Sequence, residues 1–255
     1  MSTTSTDTTT TTTTHPVVTP DAWLAARRRL LEREKELTRL QDTIAAERRA
    51  LPWVRVTKRY EFDDGTHRVP LEALFGECSQ LLVQHFMLGP GWERGCPSCT
   101  YMADHSDGMR PYLAARDVSL VAVSRAPWSE IAAYRARMGW GFRWVSSHDS
   151  DFNFDYHVSF RDAERARGEV WYNYGMRAFP SDEAPGISLF QRDDAGQIFH
   201  TYSTYGRGVE VMMGAYHLLD LAPKGRDERD VPYKMEWVHH AQASRLAAPT
   251  CCGCG

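Results

Sequence analysis

The chain has 255 residues, enough for one domain with a substantial core and extensions around it. Its 30 basic and 33 acidic residues give a net charge of −3, which provides no reason to expect binding to nucleic acid or to anionic membranes. No apolar run approaches the roughly 18–20 residues of a membrane span.

Residues 1–19 are rich in threonine and carry few apolar groups to bury, which predicts a disordered tail. They lack the basic start and apolar stretch of a secretory signal, so we expect a cytoplasmic protein. Residues 20–52 carry apolar residues at intervals of seven among charged ones, which predicts a long helix that begins at Pro20. Its narrow apolar stripe favours packing on the domain or on a second copy, which would form a homodimer.

Residues 53–222 show the periodicities of an α/β domain with a mixed sheet. The predicted strands are Val54–Phe62, Leu81–Leu88 and Ser119–Ser124, with a hairpin formed by Ile187–Phe190 and Gln197–His200. The predicted helices are Leu71–Phe75, Ser98–Ala115, Trp128–Met138 and Gly208–Leu221. Residues 223–255 are predicted to form a C-terminal extension with a cysteine-rich end.

Two of the six cysteines, Cys96 and Cys99, form a Cys-Pro-Ser-Cys motif where the loop after a predicted buried strand enters a helix. A helix N-terminus lowers the pKa of a cysteine because its unpaired N–H groups and its dipole favour the thiolate. Cys96 is therefore the predicted nucleophile, and Cys99 the thiol that resolves a mixed disulfide. The alternative, a structural zinc half-site, needs a second Cys or His pair at metal spacing, and no such pair is nearby in the sequence.

The segment around this motif, His85–Cys99, resembles the signature of the DUF899 family of bacterial thioredoxin-like proteins. Further similar segments are Ala122–Pro127, Met138–Trp140, Trp144–Ser147, Ser150–Asn153, Thr201–Tyr205 and Leu219–Arg226. The resemblance covers roughly residues 25–240. It implies a thioredoxin-like mixed sheet flanked by helices, and the activity of a dithiol–disulfide oxidoreductase.

Thioredoxin-like folds carry a cis-proline just before the hairpin strand, facing the reactive cysteine. Pro185 occupies that place in this sequence, so we expect the bond before it to be cis. A cis bond would leave the preceding backbone exposed for a substrate strand to pair with. Pro185 is therefore the third predicted residue of the active site.

The histidines leave a second chemistry open, because thiolate and imidazole together suit copper or zinc. The alternative metal ligands are Cys96 and Cys99 with His157, His148 or His85, of which His157 is expected nearest to the cysteines. Copper-handling thioredoxin-like proteins of the Sco type place a histidine just before the hairpin strand, where this chain has proline and glycine. Aromatic residues are frequent near the motif and could line a small-molecule pocket, so this set of ligands would suit a copper-dependent oxidase or oxygenase acting on a small molecule, for example an aromatic one.

The last five residues contain Cys251, Cys252 and Cys254. Three thiols at a chain end suit the relay of electrons to the Cys96–Cys99 disulfide, or the transfer of a soft metal ion. Copper binding or trafficking is therefore a third alternative. The expected partner is a thiol, a disulfide or another small-molecule substrate, and neither nucleic acid nor membrane.

Overall fold

The computed structural model describes residues 15–231 and 234–238, and the chain divides into two units between Leu51 and Pro52. Residues 1–14 of the predicted tail and the three C-terminal cysteines lie outside the described residues. The first unit contains helix α1, Pro20–Ala50. Thr19 caps this helix by accepting a hydrogen bond from the Ala22 N–H at 3.3 Å. The pairing of two copies through α1 stays a prediction.

The second unit holds the remaining elements. The strands are β1 Val54–Arg55, β2 Glu61–Asp63, β3 Arg68–Pro70, β4 Gln80–His85, β5 Val118–Ser124, β6 Arg143–Ser146, β7 Val170–Tyr172, β8 Gly175–Arg177, β9 Gly186–Arg192 and β10 Ile198–Tyr205. The helices are α2 Pro97–Ala114, α3 Trp128–Met138, α4 Phe152–Asp155, α5 Asp162–Arg165 and α6 Gly214–Leu219, with 3-10 helices at Leu71–Phe75 and Gly206–Met212. None of the helices in the described part of the chain has both the length and the apolar character of a membrane span.

Eight of these strands form one mixed sheet in the order β1-β10-β9-β4-β5-β6-β2-β3. Strands β4, β5 and β6 are parallel, because α2 and α3 carry the chain back between them. Strand β9 runs antiparallel to β4, and β10 antiparallel to β9, so the predicted hairpin lies on the other side of β4. Strands β7 and β8 form a separate hairpin.

Strand β4 is central and is covered on both faces, as its nearly continuous apolar run predicted. Leu81 and Val83 belong to one core cluster, whereas Leu82 packs against the other, which also contains Cys99. Because successive side chains of a strand alternate between faces, the end of β4 presents Gln84 to the face of α2 and His85 to the opposite face.

Two sequence predictions differ from the structure, and one hairpin was not predicted. The prediction of one strand over Val54–Phe62 is wrong. The Val56 N–H donates to the Ile198 carbonyl at 2.9 Å, and beyond this bond the chain leaves β10. It then joins the opposite end of the sheet as β2. The closing helix is divided into a 3-10 helix and α6. The β7–β8 hairpin was not predicted, since its turn places Asn173 and Tyr174, rather than glycine, at positive φ.

Candidate thiol redox site

The cysteine pair lies where the chain leaves β4 and enters α2. Cys96 is the N-cap residue of α2, and Pro97 is the first residue of that helix. The Cys96 N–H donates to the Met87 carbonyl at 3.1 Å, which ties the loop to the end of β4. A Cβ atom at Gly95 would lie 2.5 Å from the Phe86 ring, so the approach to Cys96 has no room for a side chain.

The surroundings of Cys96 favour a thiolate. Its Sγ atom lies 3.1 Å from the Ser98 hydroxyl oxygen. A hydrogen bond from the Cys99 thiol is the largest cause that lowers the pKa of Cys96 to about 6, and the Ser98 hydroxyl and the N–H groups of Ser98 and Cys99 add to it against the opposing effect of burial. Cys96 is therefore largely ionised at neutral pH.

Cys99 has the opposite character. It is fully buried, and its Sγ accepts a hydrogen bond from the Met87 N–H at 3.4 Å. Burial, together with the neighbouring Cys96, raises the pKa of Cys99 well above its usual range. The Gln84 side chain donates to the Cys99 carbonyl at 3.0 Å and so fixes α2 against β4. The site thus combines a partly exposed thiolate at Cys96 with a fully buried thiol at Cys99.

Pro185 borders the site, but the predicted cis bond is wrong, because the peptide bond before it is trans. The segment is extended and held on both sides. The Ala184 N–H donates to the Val158 carbonyl at 2.8 Å, and the Tyr172 hydroxyl donates to the Pro185 carbonyl at 2.7 Å. Pro185 and Ser98 nevertheless line the same cavity.

The predicted metal ligands, Cys96 and Cys99 with His157, His148 and His85, are not assembled in one place. Within residues 15–231 and 234–238, no group of three His, Cys, Asp or Glu side chains is arranged to hold a metal ion. The described residues therefore give no support to the predicted set of copper ligands.

Each of the three histidines has a different partner. The Nε2 atom of His85 lies 2.8 Å from the Ser188 hydroxyl, and burial lowers the pKa of His85 to about 3, so this ring is neutral. The Nδ1–H group of His148 donates to a backbone carbonyl at 3.1 Å. His157 packs against the Trp171 ring, with 6.3 Å between the centroids.

Glu183, a buried carboxylic acid that the sequence analysis did not identify, lies beside the loop that joins β4 to α2. Glu183 is only 1% exposed, is ion-paired with Arg125 and accepts a hydrogen bond from the Ser159 hydroxyl at 2.7 Å. Its Cγ atom would lie 3.4 Å from a Cβ at Gly89, in the turn that the Trp92 N–H closes. Burial raises the pKa of Glu183 to about 7, although its partners oppose the shift.

We expect Glu183 to make stability depend on pH. Because its pKa is raised from 4.5 to about 7, the folded chain keeps a proton that the unfolded chain has released in this window. The free energy of unfolding should therefore contain a contribution that falls as the pH rises from 4.5 to about 7, and Glu183→Gln should remove it. Urea unfolding at several pH values measures this, with Glu93→Gln, at an exposed position, as the control. A constant difference between Glu183→Gln and the unmodified protein would contradict the expectation.

The arrangement around β4 defines the class of protein. A helix that begins with the cysteine pair follows β4, strand β5 lies parallel beside it, and the β9–β10 hairpin returns antiparallel on its other side. This is a thioredoxin-like fold, which confirms the fold expected from the sequence. The chain belongs to the DUF899 family, whose model, described as a bacterial protein of unknown function, matches residues 12–243.

Comparison with solved structures finds distant similarity to peroxiredoxins. Peroxidoxin BcpB from Mycobacterium tuberculosis has a TM-score of 0.43 and 11% identity, over 76% of this chain and 94% of that one. A cysteine-to-serine variant of peroxiredoxin Q from Xanthomonas campestris has a TM-score of 0.42 and 15% identity, over 62% and 90% of the two chains. A hypothetical protein from Sinorhizobium meliloti 1021 has a TM-score of 0.39 and 15% identity, over 67% and 82%. No curated protein sequence matches the chain.

Proposed function

We propose that this protein is a thiol–disulfide oxidoreductase in which Cys96 attacks the substrate and Cys99 resolves the intermediate. The observation that carries the proposal is the contrast between the two thiols. The pKa of Cys96 is lowered to about 6, whereas the pKa of the buried Cys99 is raised. Disulfide exchange needs one thiolate that is ready to attack and a second thiol that stays protonated until its turn.

In the first step the Cys96 thiolate attacks one sulfur of a substrate disulfide. The S–S bond of the substrate breaks, and one substrate thiolate leaves and takes up a proton from solvent. Cys99 then loses its proton and attacks the Sγ atom of Cys96, which releases the second substrate thiol. The substrate gains two electrons, the protein is left with a Cys96–Cys99 disulfide, and a dithiol reductant restores the pair.

The contacts of Cys99 favour its deprotonation once the mixed disulfide has formed. The nearby Cys96 is one of the causes that raise the pKa of Cys99, after burial. When Cys96 enters a mixed disulfide its negative charge is lost, and that cause disappears. The Met87 N–H and the Ser98 hydroxyl both lower the pKa of Cys99, and these donors remain to stabilise its thiolate. Formation of the intermediate therefore favours its own resolution.

The test is to trap the intermediate. The Cys99→Ser protein can attack a disulfide but cannot resolve the product, so we expect a stable mixed disulfide at Cys96 after treatment with di(hydroxyethyl) disulfide. The background should lack the other thiols, through replacement of Cys78, Cys251, Cys252 and Cys254 by serine. Mass spectrometry of the intact protein and of its peptides locates the adduct, and Cys96→Ser in the same background is the control. Absence of an adduct at Cys96 would contradict the proposal.

A further inference from the structure

A cavity of about 320 Å³ borders the Cys-Pro-Ser-Cys motif at Ser98. Ser98, which separates the two cysteines, lies in one wall together with Pro185. Its apolar lining consists of Val209 from the Gly206–Met212 helix, Met213, Tyr216 from α6 and Met235. The charged residues that also line it are Arg207, Glu210, Arg226, Glu228 and Lys234. This volume is at the lower end of the range of about 300–1,000 Å³ that small-molecule sites occupy.

The charged groups of the wall are mostly satisfied by each other. Arg207 and Arg226 both pair with Glu210, at 2.8 and 3.0 Å. Glu228 accepts hydrogen bonds from a tyrosine hydroxyl, an indole N–H and a backbone N–H. Lys234 is exposed at the wall and has no ion pair or hydrogen bond with any of the described residues. Its ammonium group is therefore available to an anionic group of a ligand.

The backbone beside the site is not available to a peptide. A polypeptide substrate that binds as an added strand needs free N–H and C=O groups at an accessible edge. Ala184, the residue before Pro185, is only 2% exposed, and its N–H is already bonded to the Val158 carbonyl at 2.8 Å. The Pro185 carbonyl is bonded to the Tyr172 hydroxyl at 2.7 Å. The structure thus offers a cavity where a protein substrate would need an open edge.

We infer that the substrate is a low-molecular-weight organic disulfide with a ring-sized apolar substituent and a carboxylate, bound in this cavity with the carboxylate at Lys234. The inference rests on the proposed function and adds the class of substrate to it. One S–S bond of the substrate is broken, the Cys96–Cys99 disulfide is formed, and the protein dithiol supplies the two electrons that convert the substrate into two thiols.

The test measures single-turnover oxidation of the pre-reduced full chain by three disulfides, followed by quenched alkylation and mass spectrometry. Di(carboxybenzyl) disulfide has the inferred features, di(hydroxyethyl) disulfide lacks them, and insulin is the polypeptide. The two small probes both release alkyl thiols, so a difference between them reports binding rather than the leaving group. We expect the carboxybenzyl probe to react at least about tenfold faster than the hydroxyethyl probe, because it buries a ring. Insulin should react more slowly than either.

Two lysine variants test whether Lys234 binds the carboxylate of the substrate. Lys234→Glu should slow the reaction of the carboxybenzyl probe about fivefold relative to the hydroxyethyl probe, because the partly exposed ion pair becomes a repulsion. Lys224→Glu makes the same change of charge at an exposed position outside the cavity wall, and it should alter neither rate. Thermal unfolding of both variants shows that the fold is retained.

Three results would overturn the inference while the proposed function stood: insulin reacting as fast as the carboxybenzyl probe, equal rates for the two small probes, or equal effects of the two lysine variants. Failure of all three disulfides to oxidise the Cys96–Cys99 pair would instead remove the proposed function itself.

Discussion

Replacing Cys96 with serine is expected to slow disulfide exchange at least about a thousandfold, because the attacking thiolate is lost. A serine hydroxyl at the same N-cap position is not ionised near neutral pH and cannot form the mixed disulfide. The rate of oxidation of the remaining thiols by di(hydroxyethyl) disulfide, measured by quenched alkylation, provides the test.

The matched control is Cys78→Ser, which removes one sulfur atom from a partly buried free cysteine outside the motif. It should leave the rate unchanged.

In the unmodified protein the rate should follow ionisation of Cys96, with a midpoint near pH 6. Ser98→Ala should move that midpoint upward, because the hydroxyl contact that favours the thiolate is lost. Exchange that survives in Cys96→Ser at more than a few per cent of the original rate would overturn the assignment of the nucleophile.

The second large effect concerns stability. Trp144→Ala is expected to lower the free energy of unfolding by about 3–5 kcal/mol, since a large ring leaves a cavity in the core. Trp144 is 1% exposed, its ring centroid lies 4.5 Å from that of Phe86, and its indole N–H donates to the Ser124 hydroxyl at 3.0 Å. The Phe86 ring also lies against Gly95, the residue before Cys96. Loss of the Trp144 ring therefore also removes packing next to the cysteine site.

Urea denaturation measures this difference, and Trp171→Ala is the matched control, because that ring is 45% exposed. A substitution at such a position usually costs no more than about 1 kcal/mol. Similar losses for the two variants would contradict the placement of Trp144 in the core.

The sequence predicted the elements whose signals are local. The apolar run of β4 and the Cys-Pro-Ser-Cys motif identify a buried strand and the start of α2, because both are read from consecutive residues. The alternation of Val54–Phe62 was misleading, since a period of two does not tell whether one partner strand accompanies the whole segment. Here β10 bonds its first part, and β2 at its other end pairs with β3 and β6.

Less of the site could be predicted, because its walls come from distant parts of the chain. Glu183 and Arg125 pair across 58 residues, and no spacing rule links them. The family pattern places Pro185 at the site, but the hydrogen bonds that Ala184 and Pro185 make with Val158 and Tyr172 cannot be deduced from local sequence. The chemistry of the histidines suggests a shared metal site, but the alternation of side chains along β4 places His85 on the face opposite the cysteine pair.

The strand order also determines when each edge of β4 can pair during synthesis of the chain. β4 meets β5 soon after α2, pairing Gln80 with Val118, but its other neighbour is β9, which pairs Gln80 with Gln191. During synthesis from the N-terminus, β4 therefore has one unpaired edge until residues 186–192 have been added. Such non-local pairing slows folding, and in the meantime it leaves the unpaired backbone edge of a largely apolar strand open to aggregation. The nascent chain thus carries both thiols of the motif on an incomplete sheet until β9 has paired with β4.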